Sequence, residues 1–341
     1  LKFKMEKLVI LSNEKASKNN LNEYHCINLD LKILPDELNK HYEVECIFRK
    51  SNKQENNKFE LNKIKLGSNI FEFLFLLFKS FYQKNTRYLI VTITPYTFLG
   101  FLLMKIFRKK NIFVYLMSSG HEEYRFILGG WSIWIYHFMF KLMTNYSKVI
   151  VCHERLYDKN KSFIVAPSRL GNVWLDNTVS PKLDMPRLLY VGRFNPEKGI
   201  ENFINFFRDF ETNCELTIVG EGAKQNYTDK NINFLGYVQN EKRLINIYDE
   251  NNISILPSFT EAHPYVLEES LARKRPIIIF EDIEYVKKNK YGVFICKRDK
   301  TSILNMINYI MKNYQSIQKE MNINKLPTKD EMIKKFVDII N

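Results

Sequence analysis

Apolar runs and amphipathic stretches take turns along most of this chain, and that alternation predicts strands and helices in succession. In the first half, short apolar runs bounded by polar residues predict strands over 7–11, 44–48, 88–93, 112–117, 148–152 and 163–165. Helices are predicted over 31–41, beginning or kinking near Pro35, over 70–82, and over the aromatic stretch 131–145. The polar stretch 49–62 predicts a loop. Residues 176–186 are polar, contain Pro181 and Pro186 and lack periodicity, which marks an interdomain linker. The alternation then restarts, with strands predicted over 187–191, 215–219, 253–256, 276–280 and 292–295. Helices are predicted over 200–210, 242–249, from near Pro264, and over the amphipathic tail 329–340. Such alternation predicts an α/β fold of parallel sheets with helices on their faces. The expected division is an N-terminal domain 1–178, a C-terminal domain 179–325, and a C-terminal helix in 326–341 placed to pack back on the N-terminal domain.

Composition narrows the class. With 341 residues, 45% hydrophobic and 26% charged, the chain can bury two ordinary cores and is neither disordered nor fibrous. A formal net charge of +13 implies an anionic partner without choosing among nucleic acid, anionic lipid and phosphorylated substrate. The cysteines, Cys26, Cys46, Cys152, Cys214 and Cys296, are scattered with no Cys-x-x-Cys, which argues for a reducing, cytoplasmic compartment and against structural zinc. The chain opens at Leu1 rather than Met, so its native start is an open question, and no cleavable signal pattern is visible. The apolar segments 70–82, 96–107 and 126–143 are too short or too interrupted for the roughly 20 apolar residues that span a bilayer. Phe98 to Met104 nevertheless runs into Lys105-Ile106-Phe107-Arg108-Lys109-Lys110. Two readings stay open: a helix on an anionic membrane surface, or a buried helix ending in solvated basic residues.

The chemistry concentrates in the second half. Glu261-Ala262-His263-Pro264-Tyr265-Val266-Leu267-Glu268-Glu269 follows the buried strand 253–256 and the turn Pro257-Ser258-Phe259-Thr260. Pro264 suits the first helical position, so Glu261 lies in the loop and Glu269 inside the helix. Both can face a crevice at the carboxyl end of a strand, where open α/β sheets bind ligands. Loop N–H groups and the helix dipole favour an anion between them. A phosphate flanked by hydroxyl-accepting carboxylates describes a nucleotide sugar. Gly192-Arg193 and Lys198-Gly199 leave another buried strand, and a guanidinium fork with a mobile ammonium can neutralise a diphosphate. The alternative is a solvated basic loop beside Glu197.

Read together, the pieces carry a resemblance. Tyr190-Val191-Gly192-Arg193, Glu197-Lys198-Gly199, Leu216-Thr217-Ile218-Val219-Gly220-Glu221-Gly222, Phe234-Leu235-Gly236-Tyr237, Leu256-Pro257-Ser258 and the Glu261–Glu269 stretch occur in the order and at the spacing of glycosyltransferase family 4. The resemblance covers most of 187–310. It implies the GT-B fold, two Rossmann-like domains facing a central cleft, with the donor held by the C-terminal one. It further implies that Arg193 and Lys198, with Gly192 and Gly220 on their loops, contact the donor diphosphate. Glu269 would accept from the ribose hydroxyls, and Glu261 would contact the transferred sugar. Backbone around Leu235, Gly236 and Tyr237 would hold the base, and His263, Tyr265 and Val266 complete the implied donor-binding set. The family retains anomeric configuration without a metal or other cofactor, and the sequence holds no Asp-x-Asp.

There are departures from the family pattern. Many relatives have Gly-Phe-Gly where this chain has Ala262-His263-Pro264, so His263 is either a replacement donor or an N-cap and packing residue. Lys274 stands where relatives often have glycine at the helix end, at a cost of about 1 kcal/mol. The glycine-rich loop common after the first strand is replaced by Ser12-Asn13-Glu14-Lys15-Ala16-Ser17-Lys18. In Ser118-Ser119-Gly120-His121-Glu122-Glu123, His121 is the candidate beside the reaction centre, or else a loop histidine satisfied by Glu122 or solvent. His153 is a weaker candidate. The catalytic set expected is therefore Glu261, His121, Arg193 and Lys198.

The resulting expectation is a retaining, hexosyltransferase-type enzyme moving sugar from a nucleoside diphosphate to a glycan or polyprenyl-linked acceptor in bacterial lipopolysaccharide or capsule synthesis. It would be peripheral on the inner face of the plasma membrane, on an anionic lipid surface. The alternatives are a sugar-nucleotide epimerase of GT-B fold and a non-enzymatic basic protein binding membrane or nucleic acid. The sequence contains no nucleic-acid module.

Overall fold

The computed structural model describes residues 5–26, 29–53, 55, 57–83, 85–210, 213–222, 229–261 and 263–341. They form two compact units, Leu1–Arg169 with Lys329–Asn341, and Leu170–Thr328.

The first unit is built on β1 (Lys7–Lys18), β2 (Tyr24–Cys26), β3 (Glu43–Lys50), β4 (Asn57–Lys58), β5 (Ile64–Gly67), β6 (Thr86–Val91), β7 (Ile112–Leu116), β8 (Lys148–Val151) and β9 (Ser162–Ile164). Its parallel strands lie in the order β5-β3-β1-β6-β7-β8-β9. Alternate residues serve opposite faces, Leu8 and Ile10 one core, Val9 and Leu11 the other. Because both faces are covered, the strands read as continuous apolar runs. β1 does not stop at Leu11 as expected. It shifts register between Leu11 and Lys15 and continues to Lys18, pairing antiparallel with β2, which in turn pairs with β4. Ala16 is buried with Cys26, and this contact draws a polar-looking segment into the sheet.

The helices of this unit are α1 (Leu29–Leu38), α2 (Ile70–Ser80), α3 (Pro95–Ile106), α4 (Gly120–Leu128) and α5 (Ser132–Asn145). α1 lies in chain order between β2 and β3 and packs on one sheet face; α2, α3 and α5 cover the other. Thr94 and Thr97 close a reciprocal capping box on α3, with Pro95 in its first turn. Phe98, Phe101 and Met104 of α3 belong to the core, so the apolar bulk of 98–104 is mostly turned inward. Among the described residues, no helix is long and apolar enough to cross a membrane.

The second unit contains β10 (Arg187–Val191), β11 (Glu215–Val219), β12 (Ile232–Gly236), β13 (Ile253–Leu256), β14 (Ile277–Phe280) and β15 (Val293–Cys296), all parallel in the order β12-β11-β10-β13-β14-β15. Its helices are α6 (Asn172–Leu175), α7 (Ile200–Arg208), α8 (Glu241–Glu250), α9 (Tyr265–Ala272), α10 (Lys300–Lys312) and α11 (Tyr314–Met321). The strand order reverses between β10 and β13. At such a switch point an open α/β sheet presents its ligand-binding loops, at the carboxyl ends of the strands.

The division between units falls after Arg169, not after residue 178, because Leu170 and Trp174 pack with Ile247 and Tyr248 of the second unit. Nor is the linker a loose tether. Asn252 donates to the carbonyls of Lys182 and Met185, and buried Arg273 and Arg275 hold those of Asp176, Asn177 and Val179. The closing helix, α12 (Lys329–Ile340), belongs to the first unit. It buries Met332, Ile333, Phe336 and Ile340, and the Phe336 ring meets Tyr115 edge-on at 5.0 Å. Burying Phe336 contributes about 1.5–3 kcal/mol.

All five cysteines are buried as thiols, and burial pushes those of Cys26, Cys214 and Cys296 up to about 12. Lys274 takes up a left-handed conformation after α9, with φ 55°. Lys274→Gly should relieve that strain and raise stability by about 0.5–1 kcal/mol, read as a higher urea midpoint.

Candidate active site

Three loops meet at the carboxyl end of the second sheet. Gly192 N–H donates to Val219 O at 2.9 Å, Phe194 N–H to Glu221 O at 3.0 Å, and Gly220 N–H to Gly236 O at 2.9 Å. The approach is close enough to require glycine: a Cβ on Gly220, where φ is 154°, would lie 1.8 Å from Gly192 O. Across the switch point, Phe259 N–H donates to Glu197 O at 2.9 Å. Gly199, at φ 65°, brings the start of α7 so near that a Cβ would sit 2.1 Å from Pro257 O. These backbone contacts hold the β10 and β13 loops against each other before any side chain is considered.

The side chains then converge. Lys198 Nζ donates to Glu261 Oε1 at 2.6 Å, and Ser258 Oγ donates to the same oxygen at 2.7 Å. The Tyr285 hydroxyl donates to Glu261 O and accepts from Glu261 N–H, at 2.6 and 3.0 Å, so the backbone under the carboxylate is clamped from both sides. Arg298 fastens the preceding turn. Its guanidinium donates to Pro257 O and Ser258 O at 2.8 and 2.6 Å, pairs with Asp282, and lies 4.0 Å over the Phe259 ring. The Arg193 guanidinium is exposed and pairs with no carboxylate among the described residues. Its carbonyl accepts from Tyr190 OH at 2.8 Å. Glu197 bonds Asn195 at 2.9 Å, leaving Lys198 to Glu261.

Other expected site residues are placed differently. Glu269 is only 4% exposed and accepts from Tyr248 OH at 2.9 Å, against α8. α9 begins at Tyr265, one position later than expected, with Pro264 as its N-cap rather than its first residue. The buried His263 ring approaches Glu268 Oε1 at 3.3 Å and meets Tyr265 edge-on, and Lys290 Nζ reaches the same Glu268 oxygen at 3.4 Å. Glu268 Oε2 is buried without a hydrogen-bond partner among the described residues. Val266 packs partly buried against the core. Gly236 has φ 68°, Leu235 is half-buried and Tyr237 is exposed. Ala262 lies outside the described residues. His121 belongs to the first unit, where its Nε2 is 3.4 Å from His137 Nδ1 and its ring packs on Tyr136 and Phe140. Burial, then the neighbouring His137, lowers its imidazole below the usual value. His153 caps a short turn by accepting from Arg155 N–H.

The sequence reading missed Tyr285, Arg298 and Glu268. Arg298 lies just past the last strand with no periodic or motif signal, and only tertiary contact reveals its hold on Pro257 and Ser258. Glu268 stands out in retrospect as an acidic residue on the buried face of α9. Among the described residues, no group of three or more His, Cys, Asp or Glu is positioned to hold a metal ion.

Residues 176–325 match the family model for glycosyl transferases group 1. This part of the chain is a glycosyl transferases group 1 domain. Solved structures extend the likeness to the whole fold. HepE from Anabaena, in complex with UDP-glucose, aligns with a TM-score of 0.71 at 11% identity, covering 98% of this chain and 99% of that one. WaaG, a glycosyltransferase involved in lipopolysaccharide biosynthesis, aligns with a TM-score of 0.64 at 12% identity, covering 98% and 99%. The UDP-GlcNAc 2-epimerase of Neisseria meningitidis, bound to UDP-GlcNAc, aligns with a TM-score of 0.56 at 12% identity, with the same coverage. At these identities the likeness establishes the fold, which is GT-B. No curated protein matches the chain significantly. Within the group 1 domain, the Lys198–Glu261 pair occupies the switch point.

Proposed function

We propose that the group 1 domain binds a nucleoside-diphosphate sugar at the β10/β13 switch point and that the protein transfers the sugar with retention of configuration. The observation that carries this is the Lys198–Glu261 contact of 2.6 Å, with the exposed Arg193 on the same loop. In this reading the donor diphosphate takes up Arg193 and Lys198, and Glu261 and Ser258 turn to hydroxyls of the sugar. The ribose shares the Glu269 carboxylate with Tyr248, and the base lies along Leu235, Gly236 and Tyr237.

As the bond between the sugar's anomeric carbon and the diphosphate breaks, negative charge grows on the departing oxygen. Fixed cations stabilise it there, so the proposed reaction requires no metal or other cofactor. The acceptor hydroxyl forms the new bond from the face the diphosphate leaves, and its proton passes to a departing phosphate oxygen. The acceptor class proposed is a glycan or lipid-linked glycan of the cell surface, and His121 in the first unit is the residue proposed to face it.

The test combines binding with stereochemistry. In a thermal-shift panel of UDP- and GDP-sugars, one donor at a hundred times its Kd should stabilise the protein by about 2.7 kcal/mol. Proton NMR of the product should then show the anomeric configuration of the donor. Inversion would overturn the mechanism, and no stabilisation by any donor would overturn the site. A second reading is suggested by the epimerase of the same fold: conversion of the donor without any acceptor, which the same NMR experiment would reveal.

A further inference from the structure

The first unit carries an apolar face that its own core leaves uncovered. α5 has two stripes. Ser132, Tyr136, Met139 and Met143 are buried. Trp131, Trp134, Ile135 and Phe138, at helical spacing, form the second stripe and are 65, 80, 48 and 60% exposed. α3 lies beside α5, the Phe98 and Phe138 rings 6.0 Å apart, and adds the exposed Leu99 and Ile106. α2 lies beside α3 and extends the face with Phe71 and Phe75. Single exposed apolar residues need no explanation, but a stripe with two tryptophans across adjacent helices marks an interaction surface.

Charge identifies the occupant. Lys79, Arg108, Lys110 and Lys141 are exposed on these helices or at their ends, with Lys79 4.4 Å over the Phe75 ring. α3 and α5 contain no acidic residue, and Glu72 of α2 is engaged by Ser68 N–H at 2.8 Å. α4, which carries Glu122 and Glu123, packs against Tyr136 and Phe140, on the flank of α5 away from the exposed stripe. Two copies set face to face would oppose their basic rims. Anionic headgroups would neutralise them, while indole and phenyl rings suit the interfacial zone below.

We propose that the outer face of α5, with α3 and α2, docks on an anionic phospholipid bilayer. The docking helix is then α5 rather than the basic α3 segment singled out in the sequence, where Phe98, Phe101 and Met104 are core and Lys109 is committed to Phe81 O at 2.6 Å. The proposal is independent of the donor site.

The test uses the full chain and vesicles of phosphatidylcholine with one-quarter phosphatidylglycerol, against phosphatidylcholine alone. Wild type should co-sediment at least about ten-fold more with the anionic vesicles, since each basic side chain near such a surface strengthens binding about five-fold. Its tryptophan emission should shift to the blue, a signal from Trp131 and Trp134 because Trp174 is buried. The triple variant Trp131→Ser, Trp134→Ser, Phe138→Ser should lose both signals while keeping its far-UV dichroism and its nucleotide-sugar thermal shift. Vesicle binding unchanged in the triple variant would overturn the proposal. So would a wild-type emission that ignores vesicles, or lipid-free dimerisation that the triple variant abolishes.

Discussion

Lys198→Ala should lower kcat/KM for sugar transfer by about 10²–10³-fold, the usual consequence of removing one fixed charge or donor from a developing anion. The reason is local. Lys198 Nζ is bonded to Glu261 at 2.6 Å and is half-buried, so it is held in place rather than swinging in solvent. Glu261→Ala should cost a similar factor by removing the proposed sugar contact and freeing Lys198. Because the two groups touch, their effects should be non-additive, and the double variant should be far less impaired than the product of the singles. Initial rates with the donor found by thermal shift measure this. Full activity in both single variants would remove this pair from the site.

Arg275→Met should destabilise the second unit by about 3–5 kcal/mol, as expected when one partner of a buried ionic cluster is removed. Arg275 is 1% exposed, and its guanidinium donates to the carbonyls of Tyr248, Asn251, Arg273, Val179 and Asp249 at 2.8–3.1 Å. Methionine fills the volume but leaves those acceptors buried without their donor. Arg275→Lys should recover little, because an ammonium cannot reproduce a planar fork serving several carbonyls. Urea unfolding followed by dichroism is the measurement, and a midpoint within experimental error of wild type would show that water replaces the guanidinium. The effect should be on stability, with the nucleotide-sugar affinity of the folded fraction unchanged.

Much of this architecture was legible because parallel strands buried on both faces leave an unmistakable signal. β10, β11 and β13 have the bounds that apolar runs alone predict. Helices fared less evenly. The amphipathic pattern predicts α12 over its full length, whereas the polar faces of α10 and α11 mask Ile303, Ile307 and Ile317 in the core. The pattern ends β1 at Leu11 because Ser12 to Lys18 looks polar; its pairing with β2 depends on a partner that local pattern does not reveal.

The site divides in the same way. Residue type, spacing and resemblance single out Arg193, Lys198 and Glu261 as candidates, since loops after apolar strands are where an α/β sheet presents its ligands. They do not show how the three relate to one another. Two carboxylates with seven residues between them suggest a common role. In the structure Glu261 faces Lys198 and Ser258, while Glu269 turns to Tyr248, because the turn at Pro257 and the start of α9 at Tyr265 send them different ways.

By itself, then, the sequence determined the alternation of elements, the two-part organisation and the identities of the charged loop residues, all of which follow from short-range periodicity and chemistry. The tertiary structure decided which strands became neighbours and hence where the switch point lies. It also decided which aromatic helix face meets solvent, and that Arg298 and Tyr285 brace the Glu261 loop. Those outcomes depend on residues brought together from distant segments, as Glu261, Tyr285 and Arg298 are across β13, β14 and β15, and such contacts leave no period in the chain.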